Sequence, residues 1–444
     1  MSKGEKSEIK KINTKERIKV AIASMVGSII DWYDFFLSAT VSAIVWPVIF
    51  FNYLTGNAAL AASIITYIAG YFTRPIGAFV LGNYGDMLGR KVMLIVTLIL
   101  TGGSLIGIGL TPAYKQIGIL APALILLFRL IYGFGMGGEY GGAQTIITEF
   151  SANTKWRGLW NSIVASSLPI GNALAPLVFL ILLDTYGIRD FINYAWRIGF
   201  YIGALVLIIG IGLRYIISET PLFTKLKQEG RVEKSPAIKL FRKYWKILLP
   251  ACFLNAPLIA VALSEGGGPI PIAFIQALKI PIQDILLAQF AGYIIGAVFT
   301  ILSGLFSDVI GRKFMLLLSL ILSIAISYPA WLLLRTGSLP FIILEQTLVV
   351  IFSVSLGTTS ALTTFYMEIF PTRYRYSGGG FAFQVASLIG SAIAGVLYPL
   401  FLVTYRGPLN AWPVIALGNV ILGIIGIIVV AILITETKGK QLED

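Results

Sequence analysis

Long apolar runs, each about 20 residues or more, alternate with short polar segments along nearly the whole chain. About 20 apolar residues in a helix match the thickness of a bilayer's hydrocarbon core. The runs predict twelve spans, near 20–50, 58–83, 92–111, 118–147, 158–183, 194–217, 247–276, 282–307, 313–334, 339–369, 376–404 and 411–434. A polar tail, 1–19, precedes them, and a short one, 435–444, follows. The first tail is too polar, and the apolar run after it too long, for a cleavable signal peptide. A Lys- and Arg-rich stretch, 218–246, separates two blocks of six spans, 20–217 and 247–434.

Charge sets the expected orientation. One series of loops carries Arg90/Lys91, Lys155/Arg157, Arg312/Lys313, Arg373/Arg375 and Lys438/Lys440, besides the first tail and the central stretch. The alternate series carries only isolated charges, such as Lys115, Arg189, Lys279, Arg335 and Arg406. The positive-inside rule makes the first series cytoplasmic. Both termini then lie inside a cell membrane, which requires an even number of spans. The net charge of +13 is explained by these loops, so no nucleic acid partner is expected. Charged residues are only 12% of the chain, against about 25% for soluble domains. The expected fold class is an all-α membrane protein, with lipid as a partner.

Some chemistries are removed by what the chain lacks. Cys252 is the single cysteine and there is no histidine, so no metal site or cofactor is expected and proton coupling must use carboxylates. Gly133-Phe-Gly-Met-Gly-Gly lies within an apolar span and not after a strand, so it is no dinucleotide loop. A phosphate-binding loop is also missing, and no nucleophile–base–oxyanion set suggests an enzyme.

The chain repeats itself. Gly82-x-x-x-Asp86-x-x-Gly89-Arg90-Lys91 returns with the same spacing as Gly304-x-x-x-Asp308-x-x-Gly311-Arg312-Lys313. Asp86 and Asp308 are 222 residues apart, Glu149 and Glu368 219, and Glu219 and Glu436 217. Motifs in one order at a nearly constant offset predict two pseudo-symmetric six-helix bundles. Parallel repeats of this kind place a substrate site at their interface.

The doubled loop motif resembles that of the major facilitator superfamily, as Arg129-x-x-x-Gly133 resembles its fourth-helix motif. Four further stretches are similar to the metabolite:proton symporter family: Gly27-Ser-Ile-Ile-Asp31-Trp-Tyr-Asp34-Phe35, Arg74-Pro75-Ile-Gly77, Gly133-Phe-Gly-Met-Gly-Gly-Glu139-Tyr-Gly-Gly142 and Trp196-Arg197. The resemblance implies a twelve-helix carrier working by alternating access. It also implies symport of a small organic anion or zwitterion with protons. A monomer is favoured. Alternatives are uptake of zwitterionic osmolytes such as proline or betaine, and a transporter-like nutrient sensor.

Within that frame, buried charges are the candidates. Asp31 and Asp34, three residues apart, share a helix face. A carboxylate at bilayer depth normally faces a cavity or a cation, so both are candidates for carrying the proton, against a purely structural polar pair. Glu139 sits between glycine pairs and is a third candidate, with an ion pair to Arg74 or Arg129 as the alternative. Arg129 lies about 15 Å along the helix from Glu139, too far to assume pairing. The resemblance implies that Arg129 keeps a nearby carboxylate ionised.

Arg74 can grip a substrate carboxylate bidentately, or pair with Asp34. Arg197 is a second candidate for substrate, or an interface anchor beside Trp196. Gln384 and Asn172 are candidates for hydrogen bonds to substrate, and Tyr33 and Phe383 for the cavity wall, with ordinary packing between helices as the alternative for each. Ser264-Glu265-Gly266-Gly267-Gly268-Pro269-Ile-Pro271 cannot form regular helix. A broken membrane helix lines a cavity or is buried by protein, and Glu265 there can meet substrate, bind a cation or proton, or simply end the helix. Glu345 is expected near the outer surface. Asp86, Arg90, Asp308, Arg312, Glu149 and Glu368 are expected to form a cytoplasmic gate. In it Asp86 and Asp308 pair with their own loop arginines or cap helices of the other half, Glu149 meets Arg157, and Glu368 meets Arg373 or Arg375.

Overall fold

The computed structural model describes residues 14–216 and 236–442, together with Thr224 and Gln228. The expected tail up to residue 13, the rest of the central stretch to 235, and the side chains of Asp31 and Arg90 lie outside the described residues. Among the described residues there is no strand.

The first bundle comprises α1 (Thr14–Ile44), α2 (Gly56–Leu88), α3 (Arg90–Leu110), α4 (Leu120–Phe150), α5 (Arg157–Ala165 continuing as Ser167–Asp190) and α6 (Trp196–Ile216). The second comprises α7 (Ala256–Ala277), α8 (Ile282–Ile310), α9 (Arg312–Arg335), α10 (Leu339–Glu368), α11 (Thr372–Thr404) and α12 (Pro408–Leu433). Among the described residues, eleven helical stretches are long and apolar enough to cross a membrane. One of them, Arg157–Leu205, is 49 residues long. A straight helix of that length would measure roughly 74 Å, more than twice a hydrocarbon core. It bends at Gly187, whose φ of 70° breaks the helix, and passes through a π turn at Phe191–Ala195. It is therefore two crossings, α5 and α6, and the total of twelve matches the sequence pattern.

Small residues bring the helices together. α2 and α4 make the most extensive helix pair. A Cβ at Gly133 would run into the Gly70 carbonyl, one at Gly77 into that of Phe134, and one at Gly137 into that of Arg74. Without a hydrophobic driving force in lipid, such backbone contact is what association rests on. The outer faces stay apolar: Ile421, Ile424, Ile428 and Ile432 point outward from α12.

The bundles meet along two lines, α2 with α11 and α5 with α8. The duplicated loops adopt one conformation. Gly89 has φ 117° and ψ 148°, Gly311 φ 119° and ψ 156°, a region that side-chain-bearing residues avoid. Each loop turns the chain directly from one long helix into the next. A basic helix, Pro236–Ala251, precedes α7 and begins before residue 247. It rests Phe241 on Phe381 of α11 and Phe79 of α2. α7 is interrupted between Ser264 and Pro269, where the glycines and prolines predicted a break.

Candidate functional site

Two small cavities lie where the bundles face each other. The first, about 20 Å³, is lined by Ser28, Trp32, Glu139 and Gln144 from the first bundle and by Thr358, Thr359, Thr363 and Phe383 from the second. The second, about 30 Å³, is lined by Trp32, Phe35, Tyr71 and Asn172 and by Leu263, Gly267, Tyr293 and Thr358. Trp32, Leu168 and Thr358 border both. Each is large enough for about one water, so a metabolite fits only when the bundles part. Trp32 and Thr358 were not among the expected residues. Trp32 shares a helical face with Ser28 and Phe35, a spacing that could have pointed to it.

The polar groups of the first bundle fall into three clusters. In one, Arg129 meets Asp34: its Nη1 lies 2.9 Å from Asp34 Oδ2 and donates to Ser38 Oγ at 3.0 Å. Ser38 in turn donates to Asp34 Oδ1 at 3.1 Å. The guanidinium also covers the Tyr132 ring at 4.7 Å. Both charges are fully buried, and an ion pair at such depth persists only because its remaining hydrogen bonds are met. Asp34 therefore pairs with Arg129 and not with Arg74.

In the second cluster, Glu139 accepts hydrogen bonds from Thr97 Oγ1 at 2.8 Å and Ser28 Oγ at 3.2 Å. It borders the first cavity. Ten residues of α4 separate it from Arg129, and the two do not pair. The third cluster is Arg74. It is buried, with its guanidinium 3.8 Å from the Tyr71 ring centre and 5.5 Å from that of Phe35. Those two rings line the second cavity. No carboxylate among the described residues pairs with Arg74, and its Nε has no hydrogen-bond partner.

Other expected residues lie elsewhere. Tyr33 turns away, donating its hydroxyl to the Gly199 carbonyl at 2.9 Å, and lines neither cavity. It is the neighbour of Trp32 on a helix, so only one of the two can face the centre. Arg197 lies at a surface groove, donating to the carbonyls of Thr111 and Asn193 and covering Trp196. The anchoring role fits it, not a contact in the central cavities. Gln384 joins the bundles by donating to the Met136 carbonyl at 3.2 Å, with its Oε1 unpartnered. Glu265 is buried beside the α7 break, bonded to Asn419. Glu345 is not near a solvated surface but fully buried. Its nearness to a helix start misleads, because α10 starts against α8 and α9.

The end bearing the duplicated loops is closed by contacts that cross between bundles. Asp86, ending α2, accepts from the amide and hydroxyl of Ser377 at 3.0 and 2.6 Å, capping α11. Asp308, ending α8, accepts from the amides of Gly158 and Leu159 at 2.8 and 2.9 Å, capping α5. Negative charge there complements the helix dipole. Asp308 also pairs with its loop neighbour Arg312 at 2.8 Å.

The glutamates differ from expectation. Glu149 meets Arg375 at 3.3 Å, and Glu368 meets Arg157 at 2.8 Å and Arg312 at 3.1 Å. Each acid thus reaches across to a base of the other half, Glu368 also within its own. Geometry explains this, since α4 and α10 end at the seam between the bundles.

The model of the Major Facilitator Superfamily matches residues 35–395. The chain is 30% identical over 441 residues to the inner membrane metabolite transport protein YhjE of Escherichia coli K12, covering 96% of each. It is 28% identical to the proline/betaine transporter of the same organism, covering 84% of this chain and 75% of that protein. Its fold resembles that of the proton:xylose symporter XylE, with a TM-score of 0.74 at 17% identity, covering 97% and 98% of the two chains. A paired twelve-helix bundle, a doubled loop motif and this match place the chain in the Major Facilitator Superfamily of membrane transporters.

Proposed function

We propose that the chain is a proton-coupled symporter of a small organic carboxylate. The observation that carries this is Arg74, a buried guanidinium without a carboxylate partner among the described residues, behind the rings of a cavity both bundles share. An unpaired buried charge is costly, and a substrate carboxylate entering as the bundles part would relieve it through two parallel hydrogen bonds. Trp32, Tyr71 and Phe383 would bound the substrate's apolar part. Glu139, in the adjoining cavity, would load the proton. Asp34 and Arg129 would sense it through their pair, and Asp31 remains a further candidate. The excess of Lys and Arg supports a cytoplasmic position for the loop-bearing end, with both termini inside and the bundles at 20–217 and 247–434. On that reading the crossed pairs close the cytoplasmic side and break when it opens.

The test is uptake into proteoliposomes under an inward proton gradient. Accumulation of a carboxylate, collapsed by an uncoupler and lost in Arg74→Lys, is the expected result. Glu139→Gln should still exchange substrate across the membrane yet fail to concentrate it. Normal accumulation by that variant would remove Glu139 from the coupling role.

A second reading, uptake of a zwitterion such as proline or betaine, has its own support. Glu139 shares its cavity with three aromatic rings, Trp32, Tyr140 and Phe383, which suit a cationic group, and the proline/betaine transporter is among the relatives. Accumulation of zwitterions alone in the same assay selects it.

A further inference from the structure

The second bundle holds two fully buried carboxylates outside the site and the closed end described above. Glu265 stands where α7 breaks, and Glu345 lies on α10. Glu265 Oε1 accepts from Asn419 Nδ2 at 2.7 Å, and Asn419 Oδ1 accepts from the Tyr398 hydroxyl at 3.0 Å. Glu345 Oε2 accepts from Gln346 Nε2 at 2.7 Å, and the same nitrogen donates to the Glu265 backbone carbonyl at 3.2 Å. Gln346 thus ties the two acids together. Three oxygens at this spot have no hydrogen-bond partner: Glu265 Oε2, Glu345 Oε1 and Gln346 Oε1.

No cation among the described residues pairs with either acid. Among the elements packed around them, the titratable side chains facing the pair are Tyr398, beside α11's π turn, and Tyr293 of α8. Arg335 of α9 is exposed and lies over Trp412, and Asp284 sits in the first turn of α8. Asp308, Arg312 and Arg375 belong to the closed end already described.

We propose that Glu265 and Glu345 form a proton-binding acid pair in the second bundle, occupied in this conformation and separate from Asp34 and Glu139. Two ionised carboxylates side by side, with no cation, would each carry a heavy desolvation penalty. Glu345 Oε1 and Gln346 Oε1 lack a donor, Glu265 Oε2 has only the Ser327 hydroxyl and the Trp331 indole N–H turned towards it, and an ionised carboxylate cannot supply one. A proton answers both: an O–H bond forms on one carboxylate oxygen, one charge disappears, and the new hydroxyl can donate to a neighbouring oxygen. Release returns that proton to water and leaves the carboxylate ionised.

The pair is placed to respond to the bundles parting. Gly267, two residues beyond Glu265, packs against the Phe36 ring of α1 so closely that a Cβ would overlap it. Phe36 also meets Tyr293 edge-on at 5.1 Å. Separating α1 from the α7 break would admit water to Glu265 and free the proton. This role in transport rests on the reading of a proton-coupled carrier, whereas binding of the proton does not.

The experiment is infrared titration of purified protein in lipid, following the C=O stretch of protonated carboxyl groups and its shift in heavy water. The expected result is a band at neutral pH that is absent in the folded Glu265→Gln/Glu345→Gln double variant and retained in Asp34→Asn. An unchanged band in the double variant overturns the proposal. So does loss of the band on adding sodium at constant pH, which would make the pair a cation site. Should the double variant not fold, Glu345→Gln alone is measured: a weakened or shifted band supports the pair and an unaltered one overturns it. No substrate or gradient is involved, so this result and the uptake result can fail independently.

Discussion

At the loop-bearing end the two bundles contribute like for like. Asp86 caps α11 and Asp308 caps α5, while Glu149 crosses to Arg375 and Glu368 crosses to Arg157. In the middle they do not. The first bundle buries Asp34, Arg74, Arg129 and Glu139, with Glu139 at a shared cavity, whereas the second lines that cavity with Thr358, Thr359, Thr363 and Phe383 and keeps its buried acids Glu265 and Glu345 away from it. A clamp must grip from both sides, so duplicated residues stay useful in both copies. A single small substrate needs its counter-charge once, and a second copy would bury another unpaired charge. The duplication therefore survives where the task is symmetric and decays where it is not.

The largest effect should come from the centre of the first bundle. Asp34→Asn leaves Arg129 buried with no carboxylate, and breaking such a pair costs about 3–5 kcal/mol. Thermal unfolding in detergent should show a large drop, and Asp34→Asn combined with Arg129→Gln should recover part of it. An equal drop from Thr358→Val would undo the idea that the first bundle supplies the charge nearest the shared cavities.

The crossed clamp comes next. A double-mutant cycle on Arg157 and Glu368 should return a coupling of about 1–3 kcal/mol, as expected of residues in one network. The cycle on Arg157 and Glu149, the pair expected from sequence, should return nearly nothing. Glu368→Gln should destabilise more than Glu149→Gln, because Glu368 also holds Arg312 and the Thr437 hydroxyl. The reverse order would mean that the clamp is carried by the other line of contact.

An effect no larger than the clamp coupling is expected at Tyr140. Its ring stacks on Phe383 with centroids 3.5 Å apart, and its hydroxyl donates to Thr363 Oγ1 at 2.9 Å. Thr363→Val removes that acceptor and should cost about 1–3 kcal/mol if the buried hydroxyl finds no other partner. Opening between the bundles is the readout, by accessibility of a cysteine introduced at Ser28.

The twelve helices, the repeat and the broken α7 were all legible, because apolar length and glycine or proline content act locally. The buried charges of the first bundle were legible as residues, since Asp34, Arg74, Arg129 and Glu139 stand out in apolar runs. Their partners were not. Asp34 has both Arg74 and Arg129 within reach of neighbouring helices, and only packing decides. The acid-to-base crossing between bundles was equally hidden, because identical spacing in two copies does not say which copy each acid meets.

From the second bundle Phe383 was expected at the cavity wall and lines it, but the threonines beside it were missed. Thr358 and Thr359 lie in a π-helical stretch, Val350–Ala361, that turns them inward, with Thr363 in the turn just after it. Such stretches recur at functional sites. Membrane threonines commonly bond their own backbone, as Thr363 does to the Thr358 carbonyl, so hydroxyls in a span raise no alarm.

The smallest effect tests whether the clamp reaches into the tail beyond α12. Glu436 accepts from the amides of Arg312, Thr437 and Lys438 at 2.8–2.9 Å and of Lys313 at 3.0 Å. It therefore caps the start of α9. Burial pushes its carboxyl up, but these amides outweigh that and hold it below its ordinary value of 4.5. A carboxyl depressed in the folded state stabilises it above the ordinary value, and that contribution fades as pH falls through the folded one. Glu436→Gln should thus weaken the tail at neutral pH by on the order of 1 kcal/mol or less, the usual scale of a helix-end charge. Limited proteolysis of the tail reads this directly. Cleavage should be faster in the variant than in the parent at pH 7, and the two rates should converge in acid. Equal rates at pH 7 would confine the clamp to Glu368 and its arginines, leaving the tail as a bystander.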